Sequence, residues 1–195
     1  MGSRSAFDIL RARCYKNLIE NSSGDIPMER TFALLDQMKR EGLFKAYAVG
    51  GGIAAMYYFE PILTYDLDIF FIPSKEGIDL LSPLYAYLKE KGYPSEKEHA
   101  VIEGIPVQLI PVYNRLVEEA VKNARESEYK GVKIPILTAE YLIAISLQTY
   151  RPKDRERLVK FLEEARINGL ELGKILKSHG LEEKFGKFKE RYREG

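Results

Sequence analysis

The sequence predicts an α+β fold, a small mixed β-sheet core flanked by helices and followed by an all-helical C-terminal region. Three observations carry this. Strand-like and helix-like patterns alternate as far as Leu137. From Thr138 onward the apolar residues repeat only at helical spacing. Three consecutive glycines, Gly50, Gly51 and Gly52, stand where a strand hands over to a helix, and there only glycine lets the backbone turn sharply with no Cβ in the way. The chain divides accordingly into N-terminal helices over 1–42, an α/β core over 43–137 and a helical region over 138–195.

Each element follows from local pattern. Phe7, Leu10, Cys14 and Leu18 predict an amphipathic helix over 5–20, and Asn21-Ser22-Ser23-Gly24 ends it. Asp25 and Pro27 signal a second helix whose apolar face is Met28, Phe32, Leu35 and Met38, closed at Gly42. The stretch from Val49 to Ile72 reads as strand, glycine turn, short helix, loop and strand. A helix over about 77–91 follows, with Leu81, Leu84, Tyr85 and Leu88 as its stripe, and then a hairpin of 99–103 and 105–112 joined at Gly104. Next come a helix over 114–126 and a strand over 132–137. The helix after Thr138 is apolar on most sides, as expected of one buried between layers. Tyr150-Arg151-Pro152 interrupts it, a helix carrying Leu158, Phe161, Leu162 and Ala165 follows, and Gly169 and Gly180 punctuate two more.

Composition narrows the setting. The net charge of +1 offers no global argument for nucleic acid or membrane binding. Residues 151–195 carry 13 Lys/Arg against 9 Asp/Glu, a net of +4 that leaves −3 for the rest, so the C-terminal part is mildly basic. One cysteine, Cys14, makes an intrachain disulfide impossible and suits a reducing compartment; it reads as a small buried hydrophobe. No stretch reaches the roughly 20 apolar residues that span a bilayer, and no signal-peptide run opens the chain, so a cytoplasmic location is expected and no membrane partner.

The chemistry concentrates between Val49 and Ile72. A glycine turn opening a helix exposes backbone N–H groups to an anion. Asp66 and Asp68 follow on the next strand, where positions i and i+2 share a face. Two adjacent carboxylates repel unless a cation sits between them, and hard oxygen ligands of this kind suit Mg²⁺, whose remaining sites are filled by water and substrate phosphates.

A phosphate-cradling glycine turn followed by Asp-x-Asp on the next strand resembles the nucleotidyltransferase superfamily that includes DNA polymerase β and the aminoglycoside nucleotidyltransferases. The fuller string, Gly51-Gly52-Ile53-Ala54, then Glu60-Pro61, then Thr64-Tyr65-Asp66-Leu67-Asp68, more particularly resembles the AbiEii-like family, many members of which are toxins of toxin–antitoxin pairs. Glu140 through Arg155 is similar to that family's helix-plus-Arg-x-Lys-Asp segment, in which a basic and an acidic residue face the nucleotide. The resemblance implies a nucleotidyltransferase-like core and transfer of a nucleoside monophosphate from an NTP to an acceptor hydroxyl, with RNA such as a tRNA end as acceptor and an antitoxin as protein partner. It implies catalytic roles for Asp66, Asp68, Lys153 and Asp154. Asp66 and Asp68 would hold Mg²⁺ or Mn²⁺, while Gly51, Gly52, Thr64 and Arg151 would bind the nucleotide.

Two departures stand beside this. The superfamily places a third carboxylate on the neighbouring strand, and by register that position is Gln108, which cannot act as a general base. Either Asp66 and Asp68 suffice, or Glu103 or Asp154 fills in, or the site binds nucleotide without turnover. In many relatives a lysine stands in the helix before Arg151, where this chain has Ser146 and Gln148. Lys153 and Asp154 equally fit a helix–loop–helix corner with Asp154 capping the next helix, and Arg155 fits a solvent-facing role. Tyr47, Tyr57, Tyr58 and Tyr65 cluster around the central stretch and read as packing residues; His99 and His179 are not at metal-ligand spacing.

Overall fold

The computed structural model describes residues 28–59, 66–96, 98–129 and 131–194. The helix expected over 5–20, Cys14 within it, Thr64 and Tyr65 lie outside these residues. Helix α1 (Met28–Arg40) buries Thr31, Phe32, Leu34, Leu35 and Met38, the stripe expected from spacing. Gly42 at φ +78 turns the chain into β1 (Phe44–Val49). Short helix α2 (Gly51–Ala55) leads toward β2 (Leu67–Pro73).

Helix α3 (Ser82–Glu90) starts later than the expected residue 77, because the Asp79 carboxylate accepts from the Ser82 N–H at 2.9 Å and a proline stands in its first turn. Leu84 and Leu88 are its buried face. Strands β3 (Ser95–Glu96), β4 (His99–Ile102) and β5 (Ile105–Pro111) follow. The β4–β5 turn holds Glu103 at φ 50 and Gly104 at φ 80, the positive values a tight two-residue hairpin requires.

Helix α4 (Arg115–Lys122) is capped by Asn114, whose side chain accepts from the Val117 N–H. It ends earlier than the expected residue 126, and Arg125–Tyr129 forms a strand instead, β6. Its sequence, Arg-Glu-Ser-Glu-Tyr, has no apolar alternation to announce a strand. As the last strand of the sheet it pairs only with β7 (Val132–Ile136), and charged residues are what an exposed edge carries. Four helices complete the described chain: α5 (Ala139–Thr149), α6 (Pro152–Glu164), α7 (Gly169–Ser178) and α8 (Glu182–Glu194). None of the described helices is long and apolar enough to cross a membrane.

The fold is α+β with a mixed sheet, and its seven described strands run in the order β3-β4-β5-β2-β1-β7-β6. The pairs β2–β5 and β1–β7 are parallel and the others antiparallel. Strand alternation separates two faces. Tyr47 and Phe71 are cross-strand partners, and Tyr47 donates its hydroxyl to Asp36 of α1 at 2.9 Å, which places α1 over that face. Asp68, Phe70, Gln108 and Ile110 occupy the opposite face, where α5 and α6 close over them to form a cavity. Residues 141–147 of α5 are all buried, which accounts for the unbroken apolar run.

Candidate active site

The glycine turn is shaped by what stands beside it. Gly50 adopts φ −124 and ψ −153 and donates its N–H to Asp68 O at 2.9 Å, so the backbone stays tied to β2 while it turns. A Cβ on Gly50 would overlap the Phe70 ring, and one on Gly51 would overlap the Asp68 carboxylate. Gly51 also lies at φ +57, a region costly for residues with a side chain. The glycines therefore make room for β2 side chains as well as for any ligand. The helix after them has only five residues, little more than a turn, so its dipole is short.

A cationic corner faces Asp68 from α6. Asp154, 2% exposed, organises it. Its Oδ2 accepts from Thr149 Oγ1 at 2.7 Å, from Arg151 Nε at 2.9 Å and from the Arg151 backbone N–H at 3.1 Å, while Arg157 Nη1 lies 3.7 Å from Oδ1. Burial by itself raises the Asp154 carboxyl, but the Arg151 side chain, Thr149 and the Arg151 N–H outweigh it and hold the group below the usual carboxylate range. The capping geometry expected as the plainer reading of Asp154 is present, and the carboxylate simultaneously fixes two guanidinium groups. Tyr150, at φ 53, ends α5 in the left-handed region, which lets the chain reverse directly into Arg151-Pro152.

The cavity between these walls has a volume of about 320 Å³ and joins Gly51, Asp68 and Gln108 to Thr149, Arg151, Lys153, Asp154 and Arg157. Burial first, then the charge of Asp66, pushes the Asp68 carboxyl up to about 6, against the pull of Arg157, Lys153 and Arg151. An ionised Asp68 is thus held where a further positive charge would be favourable. Among the described residues no group of three or more His, Cys, Asp or Glu is arranged for a metal ion. Two carboxylates such as Asp66 and Asp68 fit Mg²⁺ or Mn²⁺, which draw their other ligands from water and phosphates.

The residues expected from sequence are distributed as follows. Asp68, Gly51, Arg151, Lys153 and Asp154 all line the cavity. Gly52 is buried within α2. Asp66 precedes β2, half-buried, with Oδ2 3.7 Å from His99 Nε2. Gln108 pairs directly with Asp68 across β2 and β5, where the register expectation put it. Glu103 receives the Tyr93 hydroxyl at 2.8 Å and lies 3.6 Å from Arg30 at the hairpin turn, outside the cavity. Arg155 is exposed, 5.7 Å from the Tyr150 ring, and does not line the cavity either. Tyr47 and Tyr58 pack as expected, Tyr58 donating to Leu137 O at 3.0 Å.

Two cavity residues, Arg157 and Tyr113, went unread, and His99, read as an ordinary residue, stands beside Asp66. Arg157, with its side chain 12% exposed, follows Lys153 by four and Asp154 by three, so one helical face carries all three. His99 pairs opposite Gln108, a register countable from a hairpin closed at Glu103-Gly104. Tyr113, half exposed at the end of β5, has no local signal beyond its place after a strand.

No family model matches the chain, and no curated protein matches it. Among solved structures it is similar to the antibiotic-resistance factor ANT(2″)-Ia in solution, at 14% identity and TM-score 0.47, covering 88% of this chain and 100% of that one. A nucleotidyltransferase-like protein from Paracoccidioides brasiliensis, described as antigenic, matches at 15% identity and TM-score 0.44, covering 76% of this chain and 84% of that one. The crystal structure of ANT(2″)-Ia with adenylyl-2″-tobramycin matches at 17% identity and TM-score 0.40, covering 83% and 98%.

Proposed function

We propose that the cavity binds a nucleoside triphosphate and transfers its nucleoside monophosphate to a hydroxyl of an acceptor. One observation carries this reading: a single cavity sets Asp68, its carboxyl raised toward 6 beside Asp66, against Arg151, Lys153 and Arg157. Cations on one wall suit triphosphate oxygens, and a carboxylate pair on the other suits the divalent ion that accompanies them. In the transfer the acceptor oxygen bonds to the α-phosphorus, the bond from that phosphorus to the bridging oxygen breaks, and pyrophosphate leaves. The acceptor proton, which Gln108 cannot take, passes to water.

Each residue has a distinct part. Arg151 and Lys153 hold triphosphate oxygens together with Arg157, while Asp154 keeps the two guanidinium groups aimed into the cavity. Gly51 brings the backbone close to the phosphates, and Gly52 and Thr64 are kept as nucleotide contacts on the strength of the family resemblance alone. Asp66 and Asp68 would hold Mg²⁺ or Mn²⁺, and the bound ion would neutralise phosphate charge as it develops. The resemblance to AbiEii-like proteins and the +4 charge of residues 151–195 support an RNA acceptor such as a tRNA end, action in the cytoplasm as a toxin, and an antitoxin partner.

Gln108 favours a second reading, a nucleotide-binding or regulatory module in which chemistry is impaired. Incubating the protein with each labelled NTP, Mg²⁺ or Mn²⁺ and total RNA, beside an Asp66→Ala/Asp68→Ala control, separates the two. Label on RNA that disappears in the control supports transfer to RNA. Label on a small metabolite moves the acceptor to another class. Nucleotide binding with no transfer leaves the second reading.

A further inference from the structure

Ser146 lies on α5 and is 6% exposed, yet its hydroxyl makes no hydrogen bond within the described residues. Other helical hydroxyls in this protein behave differently. Thr149 Oγ1 donates to Asp154 Oδ2 at 2.7 Å and lies 3.0 Å from Ile145 O, and Ser178 Oγ donates to Lys174 O at 2.9 Å. The hydroxyl is not among the buried side-chain atoms left without a partner, so it keeps access to the cavity and is open to a hydrogen bond from a ligand there. The space Ser146 borders is the cavity itself, on a wall otherwise built of Leu142, Ile145 and Phe161.

Position along the helix narrows what would meet it. Ser146 precedes Thr149 by three residues, about 4.5 Å along the axis. Thr149 anchors Asp154, and through it the Arg151 and Arg157 corner. A ligand whose phosphates rest in that corner and which extends back along α5 brings its first uncharged part to Ser146, and in a nucleotide that part is the sugar. A serine hydroxyl both donates and accepts, which matches the hydroxyl groups of a ribose. The apolar residues around it leave few other groups to compete for such a bond.

We propose that Ser146 determines specificity at this site by hydrogen-bonding a sugar hydroxyl of the bound nucleotide, so that the cavity takes ribonucleotides in preference to a deoxy counterpart. The inference rests on the nucleotide reading of the cavity and goes further by naming the group that is read and the residue that reads it. A site built to pair a substrate hydroxyl rejects the analogue lacking it, since its own polar group is then left unsatisfied.

The test is calorimetric binding of the four NTPs, their 2′-deoxy and 3′-deoxy counterparts, and inorganic tripolyphosphate to the native chain and to Ser146→Ala. Alanine removes only the oxygen and is the better helix former, and thermal melting of both proteins checks that the fold is intact. The native chain is expected to bind an NTP about three- to tenfold more tightly than one of its deoxy forms, the range a single hydrogen bond supplies. In Ser146→Ala that preference vanishes while tripolyphosphate affinity is unchanged. A preference that survives in Ser146→Ala, or a native chain that never shows one, overturns the inference and leaves nucleotide binding standing. An equal loss of tripolyphosphate affinity overturns it too, since the variant would then be disturbing the cationic corner. Should the native chain bind neither NTP nor tripolyphosphate, the nucleotide reading itself falls.

Discussion

Gly51 leaves the space in which the Asp68 carboxylate stands. A Cβ on Gly51 would overlap Asp68 Oδ2 and lie 2.5 Å from its Cγ, and the φ of +57 disfavours any side chain there in its own right. Gly51→Ala is therefore expected to destabilise the fold by about 2–4 kcal/mol, the sum of overpacking and left-handed strain. In thermal melts, Gly51→Ala/Asp68→Ala should recover part of that loss, because the overlap with the carboxylate is relieved while the 2.9 Å approach to the residue 68 Cβ and the left-handed strain remain. No recovery would mean that the strain resides elsewhere in the turn.

Asp68 should make stability fall as pH rises. Its folded carboxyl, at about 6, lies above the ordinary 3.8, so below the ordinary value both states keep the proton and nothing is lost. As pH climbs through 6 the folded state must ionise a buried group beside Asp66, at a cost of about 3 kcal/mol from the size of the shift. With chelator present, Asp68→Asn should melt above the native chain at pH 8 and near it at pH 4. Adding Mg²⁺ at pH 8 should raise only the native chain.

Asp154 should behave oppositely. Its carboxyl is held below the usual range, so its contribution is present above about pH 4 and fades as pH drops through the folded value. Asp154→Ala is expected to cost about 3 kcal/mol at pH 7, since it strips the partner from two guanidinium groups, one of them Arg157 with a mostly buried side chain. Urea midpoints at pH 7 and pH 3 should show the deficit shrinking in acid.

Two arginines on one helix should separate cleanly. Arg157 lines the cavity and Arg155 does not. Arg157→Ala should weaken NTP binding by about 10- to 100-fold, as loss of a charge-assisted contact does, and Arg155→Ala by less than about twofold. Equal effects in a titration would remove Arg157 from the site.

Gln108 offers a gain-of-function test. It stands directly opposite Asp68, and Gln108→Glu would place a base beside the reacting centre. If chemistry is limited by the missing carboxylate, label transfer should rise by about 100-fold or more. An unchanged rate in a variant that still binds NTP would locate the limit in another step.

Much of this protein is decided locally and was legible as such. The glycine turn, the hairpin closing at Gly104, the corner at Tyr150-Arg151-Pro152 and the helical stripes each depend on residues within a few positions of one another. Even Gln108 opposite Asp68 followed from strand register, because pairing one residue fixes its neighbours. Strand β6 escaped because an edge strand needs no apolar face, so its charged sequence continued the helix before it. What tertiary structure decided is everything that depends on which surfaces meet. Gly51 answers to a carboxylate on the next strand, Arg157 enters the site because α6 folds back across the sheet, and Ser146 keeps an unpaired hydroxyl where two walls face each other. None of these can be read along the chain, since burial and charge act through space between segments that the chain holds far apart.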